Sequence, residues 1–200
     1  MRAGLLAALL LAACAAQPSG PMPGDRPGLD EALRRLPASA AGFSRGITTD
    51  MEAAQPGQGR AVDYATDMRN GVAARAAIAS VIIYDRGHPA LPPDTPPAVI
   101  EAQLDEGVRD STTPAPGKQM AESHRRDLPV AGGAPVRCAT LEGSYGRTAM
   151  WQQMCVGLAA GRFVKVFVAV PTRQKDLIDM DADGFTQAVV GALRAAPAGR

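Results

Sequence analysis

Aromatic side chains are scarce in this sequence. One tryptophan, three tyrosines and four phenylalanines serve 200 residues, so alanine and valine must fill much of any core. Histidine is scarcer still. His88 and His124 stand far apart in polar stretches that read as loops, and no histidine-rich metal centre is expected. Neither sign of charge is in excess, since 21 Lys and Arg face 20 Asp and Glu for a formal charge of +1. Loss of Arg2 with a cleaved leader would leave the mature chain neutral. That balance offers no basic surface for nucleic acid and no acidic tail. No apolar run reaches the roughly 20 residues that a membrane-spanning helix requires. Proline and glycine are plentiful, at 17 and 21, and they gather between segments where long loops are expected.

What is present at the start of the chain is an export signal. Met1-Arg2 is followed by an apolar run from Leu5 to Leu11 and then by Ala12-Ala13-Cys14. A positive start, a short apolar segment and small residues before a cysteine mark a leader cut at a lipid-modified cysteine. Cys14 would become the first mature residue, its sulfur carrying the lipid through a thioether. Each buried acyl methylene contributes about 0.8 kcal/mol, so several chains anchor firmly where one would not. Two other readings use the same residues. One is an ordinary secretory signal cut near Ala13 or Ala16, which would release a soluble periplasmic protein; the other is a buried apolar helix that contains a cysteine. The lipoprotein reading is preferred. Ala15 stands where an aspartate would favour inner-membrane retention, leaving the outer membrane, facing the periplasm, as the default site.

Periodicity divides the remainder. Residues 1–13 read as the signal peptide, 14–27 as the lipidated cysteine and a flexible tether, 28–196 as a single α/β domain and 197–200 as a disordered tail. Leu29, Ala32, Leu33 and Leu36 repeat at helical spacing before Pro37. Strands are expected over Ala41 to Glu52, Ala61 to Thr66 and Ala76 to Tyr84, with Asn70-Gly71 as a hairpin turn. Thr95 and Pro96 read as the cap and first residue of a helix over 96–110, whose Ile100, Leu104 and Val108 share one face; Ser111 to Gly117 would break it. Met120 to Val130 reads as a strand, and Ala131 to Pro135 as a loop. Three further strands follow: Val136 to Tyr145, Thr148 to Leu158 and Arg162 to Val170. In the last, Val164, Val166, Val168 and Val170 share one face, and Phe163, Lys165 and Phe167 share the other. A final helix is expected over about 183–195.

Register makes a specific statement about the other two cysteines. Gly146-Arg147 can form a type II′ turn with glycine in its first central position. Tyr145 then faces Thr148, and counting outward places Cys138 opposite Cys155 on a non-hydrogen-bonded pair, where α-carbons approach to about 4.5 Å. That separation suits a disulfide, and an oxidising compartment permits one. The alternative is two small buried thiols.

Several motifs approach chemistry without completing it. Asp179, Asp181 and Asp183, followed by Gly184, match the first half of a calcium loop, but its twelfth position falls on Val190 instead of a glutamate. The competing reading, which is preferred, has these aspartates cap the last helix and complement its dipole. Ser144 lies in Glu-Gly-Ser-Tyr-Gly, which lacks the first glycine of a nucleophile elbow and sits in a hairpin. Glu101, Asp105 and Glu106 read as a solvated helix face. Trp151, opposite Glu142, reads as a cross-strand packing residue, and Arg125-Arg126 as too short a basic patch to carry meaning. No catalytic residue, metal site or cofactor is assigned.

Four segments carry a family resemblance: Pro37-Ala-Ser-Ala-Ala-Gly-Phe-Ser-Arg45, Gly59-Arg-Ala-Val-Asp-Tyr64, Ala79-Ser-Val-Ile-Ile-Tyr-Asp-Arg-Gly87 and Gly161-Arg-Phe-Val-Lys-Val166. Together they resemble a loose group of bacterial envelope proteins of the PsbP-like fold, shared with the photosystem subunit PsbP and the Ran-binding Mog proteins. The resemblance spans most of residues 37–195. It implies an α+β domain with an antiparallel sheet flanked by helices, an α/β/α sandwich, and it implies no enzyme activity. The alanine-rich stretch over 72–80 and the cysteine pair depart from the pattern. The expected function is therefore a non-catalytic envelope lipoprotein, an accessory or binding module for an envelope protein or a small ligand. The alternative is a periplasmic enzyme, or a weak calcium binder, whose site forms only in the fold.

Overall fold

The computed structural model describes residues 26–66 and 76–195. Cys14 and the expected leader, the expected tether up to residue 25, the hairpin turn expected at Asn70-Gly71 and the last five residues lie outside the described residues. Helix α1 (Leu29–Arg35) leads into β1 (Ser39–Ala40), β2 (Phe43–Asp50), β3 (Arg60–Thr66) and β4 (Ile78–Tyr84). Helix α2 (Pro97–Thr112) then crosses to β5 (Lys118–Leu128), β6 (Val136–Tyr145), β7 (Thr148–Ala159) and β8 (Arg162–Pro171), followed by the short α3 (Thr172–Lys175) and by α4 (Ala182–Arg194). One eight-stranded sheet results, in the order β1-β2-β3-β4-β8-β7-β6-β5. Every neighbouring pair is antiparallel. The first four strands meander one way, α2 carries the chain to the far edge, and the second four meander back until β8 pairs with β4.

Strand alternation explains where the helices sit. Val164, Val166, Val168 and Val170 of β8 join a buried cluster with α1 and α4. Phe163 and Phe167 of the same strand face the opposite way, against Ile100, Leu104 and Val108 of α2. The first cluster centres on Phe185 of α4, whose ring lies 4.8 Å from Phe43 and 5.0 Å from Tyr64. The Tyr64 hydroxyl donates to the Pro37 carbonyl at 2.8 Å, so this phenol is buried with its polar end satisfied. Helices lie against both faces but cover each only in part. On the α2 face Ile78 of β4 remains 50% exposed. The architecture is thus a largely β one, an antiparallel sheet with a few helices, and not clearly a three-layer sandwich.

Most elements lie where periodicity puts them, and the differences have local causes. Pro96 is the N-cap of α2 and Pro97 its first residue. Thr95 does not cap it, because its hydroxyl donates to the Pro92 carbonyl at 2.6 Å. The same helix continues through Ser111 to Thr112, where the threonine hydroxyl bonds back to the Val108 carbonyl at 2.8 Å. His124 lies on β5 instead of in a loop, at a register shift between Glu122 and His124. Helix α3 adds a single turn after Pro171. Arg26 and Pro27, read as the end of the tether, dock onto the domain: Arg26 pairs with Asp85 at 2.8 Å, and the Pro27 carbonyl accepts from Arg162 at 2.6 Å.

Strand β5 forms one edge of the sheet, and the two-residue β1 forms the other. Lys118, Glu122, Arg125, Arg126 and Asp127 give β5 charges of both signs, and the register shift interrupts it midway. Charge and irregularity are the usual protections of an open strand edge.

The β6–β7 hairpin follows the counted register. Tyr145 faces Thr148, and Cys138 faces Cys155. Gly146 takes φ +58°, while Arg147 is not among the residues of positive φ, as a type II′ turn requires. Cys138 and Cys155 form a disulfide with α-carbons 4.0 Å apart, buried in the cluster beneath α4. The bond closes a chain separation of 17 residues. Replacing both cysteines with alanine should lower stability by about 3 kcal/mol, read as a shift in the urea midpoint. An unchanged midpoint would mean that the bridge adds nothing to the fold.

Candidate functional site

Strand β7 outlasts its neighbour. Pairing with β6 ends at Arg137↔Val156, so residues 157–159 run on beside the loop that leads into β6. There a pocket of about 310 Å³ opens, lined by that loop, the β7–β8 turn, the first turn of α2 and the segment before it. Leu91, Pro93, Pro97, Ile100 and Leu158 supply its apolar wall. Its polar side chains are Thr95, Asp127, Arg137 and Arg194. The volume lies at the lower end of the roughly 300–1,000 Å³ typical of ligand sites.

The two arginines have different surroundings. Arg137 donates through Nε to Glu101 at 2.7 Å and through Nη1 to Asp127 at 2.6 Å. These carboxylates hold its pKa above the ordinary value. Arg194, in the last turn of α4, meets carbonyls only. Its Nε donates to Leu158 at 2.9 Å, Nη1 to Val130 at 3.1 Å and to Ala131 at 3.5 Å, and Nη2 to Ala134 at 2.9 Å. It thereby stitches the β5–β6 loop to the end of β7, in the place that β6 has vacated. Burial lowers its pKa. Glycine at 133 makes the close approach feasible, since a Cβ there would stand 3.3 Å from Arg194 Cζ.

Beside the pocket, Glu101, Asp105 and Glu106 of α2 are drawn into ion pairs and do not form a free solvated face. Arg125 of β5 holds Glu101, Asp105 at 2.6 Å and Glu122, and Arg86 holds Glu106. These pairs pin α2 across β5 and β6. Arg126 turns to the other face, where it meets Asp183 and donates to Gln153 at 3.1 Å. The aspartates of the calcium-like motif have separate tasks. Asp181 caps α4 by accepting from the Gly184 amide at 2.9 Å, while Asp183 pairs with Arg126. Among the described residues no group of three metal-capable side chains gathers. Trp151 faces Glu142 across the hairpin, with the Lys175 ammonium 4.4 Å from its ring centre. Ser144 lies opposite Ala149 near the hairpin turn.

Sequence reasoning did not single out Arg194 or Arg137. The available signals were a basic residue in the last turn of a helix, which suits the helix dipole, and the Gly132-Gly133 pair in the loop. Neither names the carbonyls that Arg194 reaches, which lie 36 to 64 positions away in the chain.

A second charged group lies on the α2 face of β8. Lys165 Nζ stands 5.8 Å from the centre of the Tyr84 ring. Desolvation pulls the Lys165 pKa down and Arg86 adds to this, against smaller opposing effects from Asp110 and Glu106. Burial pushes the Tyr84 phenol up, partly countered by Arg86. The two groups titrate with opposite consequences. Below about pH 10.4, the ordinary lysine pKa, there is a range in which the unfolded chain holds a Lys165 proton that the folded chain lacks, so stability rises with pH. Above about pH 10 the unfolded phenol ionises while folded Tyr84 stays neutral, so stability falls. Urea midpoints measured between pH 8 and 11 should lose the rise in Lys165→Met and fall less steeply in Tyr84→Phe, where the buried Tyr64 phenol still contributes. Profiles parallel to that of the unaltered protein would remove this account of the buried pair.

Comparison with known proteins finds no family model that matches the chain and no match among the curated proteins.

Proposed function

We propose that the chain is a non-catalytic lipoprotein of the bacterial envelope, held on the outer membrane by lipid on Cys14, facing the periplasm and acting as a binding module. The observation that carries the binding reading is the pocket lining. Its wall is mainly apolar, and its polar side chains are a threonine bonded to a carbonyl, an aspartate paired with an arginine, and two arginines. Such a set can hold and orient a ligand. A nucleophile beside a base, as acyl or phosphoryl transfer would need, is not among the described side chains that line it. The Cys138–Cys155 disulfide supports export, because such bonds persist in oxidising compartments. The paired meanders joined by α2 support the finer fold assignment, an α/β/α sandwich of the PsbP-like kind.

The tether reading adds a spatial argument. Arg26 docks at the pocket end of the domain, where a Cβ on Gly161, a lining residue, would stand 3.0 Å from Arg26 Cβ. Eleven residues separate Cys14 from Arg26, a reach of at most about 40 Å. A lipid on Cys14 would therefore keep the pocket near the membrane surface. The mass of the mature amino terminus, taken from membrane fractions, tests the anchor: an acylated cysteine should be its first residue, and Cys14→Ala should move the protein to the soluble fraction. A mature form that begins at Met1, or that lacks acyl mass, would end the lipoprotein reading. Release after cleavage near Ala13 or Ala16 would instead favour a soluble periplasmic protein.

A further inference from the structure

The Arg194 guanidinium has five N–H donors, and four are spent on carbonyls. The fifth, on Nη2, is left over. Carbonyl dipoles satisfy donors without cancelling a full charge. Arg137 is answered by two carboxylates, whereas Arg194 faces none among the described residues. Burial lowers its pKa, with no acidic neighbour opposing the shift. Arg194 is part of the pocket lining; a Cβ on Gly157 would lie 3.6 Å from Nη2, on a side that the Val136 side chain already fills. The pocket thus combines an apolar wall with one unneutralised cation.

We propose that this pocket binds a small aliphatic carboxylate, its head on Nη2 of Arg194 and its chain along Leu91, Ile100 and Leu158. The inference rests on the reading of the chain as a binding module and supplies the ligand class. Charge and donor count select the head group. One uncompensated positive charge and one free N–H suit a monoanion, while a phosphate dianion would bring three acceptor oxygens and nearly twice the charge. Size selects the chain. At about 30 Å³ for a water-sized group, 310 Å³ holds about ten heavy atoms, the number in octanoate. A charge-assisted hydrogen bond is roughly twice as strong as a neutral one, so the carboxylate should be preferred over an alcohol of the same length.

Methyl-labelled full-length protein, titrated with sodium octanoate, 1-octanol and octylammonium, tests the proposal. Octanoate should shift the Leu91, Ile100 and Leu158 methyl resonances saturably, about ten-fold more tightly than octanol, and octylammonium should not bind there. Arg194→Gln should erase the preference for octanoate over octanol. That variant also loses loop contacts, so Leu91→Trp, at a half-buried wall position that leaves Arg194 untouched, serves as the second: it should abolish binding of both ligands. Equal affinity for octanoate and octylammonium, shifts confined to other methyls, or unaltered binding in Leu91→Trp would each overturn the proposal. Octanoate binding by a protein without acyl mass on Cys14 would remove the anchor and leave the ligand assignment standing. An acylated protein that ignores octanoate would do the reverse.

Discussion

Strand β8 points four valines at α4 and two phenylalanines at α2, and a strand that is apolar on both sides must be covered on both sides. Everything else accommodates that demand. The second meander returns to pair β8 with β4, which places this strand near the middle of the sheet. Helix α2 serves both as the crossover between the two meanders and as the cover for one face. With few large rings available, valine supplies the central strand, and three of the aromatics, Phe43, Tyr64 and Phe185, are concentrated at one point under α4.

Coverage by a single helix is narrow, and electrostatics holds that helix in position. The arginines of β5 and β6 take the carboxylates of α2, and Arg86 takes Glu106 from the other flank. Pairs this exposed contribute little each, so their role is to set the lie of the helix and not to drive folding. Burial of Leu104, which is fully enclosed, and of its neighbours contributes most of the binding of α2 to the sheet. One consequence of this placement is the pocket, which opens where the first turn of α2 meets a β7 that runs on beyond β6.

Local pattern carried the strands well because alternation and turn chemistry are written in adjacent residues. The bounds of β6 follow from Pro135 and Gly146, and the facing of β8 follows from its valines. Cys138 and Cys155 could be set opposite one another because a two-residue turn fixes every pair outward from it. The cap of α2 was misread because the Thr95 hydroxyl prefers a carbonyl three residues back, a choice that composition does not display. Arg125 looked like half of a short basic patch, yet it meets partners on α2 as well as on its own strand. Arg194 was illegible for the same reason: its contacts come from the β5–β6 loop and the end of β7, and they exist only after the sheet has formed.

The outer strand opposite β1 has one more implication. A bare strand border can template copies of itself wherever chains meet at high concentration. Here that border bristles with lysine, arginine, glutamate and aspartate, and its ladder breaks step near His124. Two such borders brought side by side would lack a continuous run of backbone donors to zip together. Charge and the broken ladder therefore disfavour growth of the sheet from copy to copy along this side.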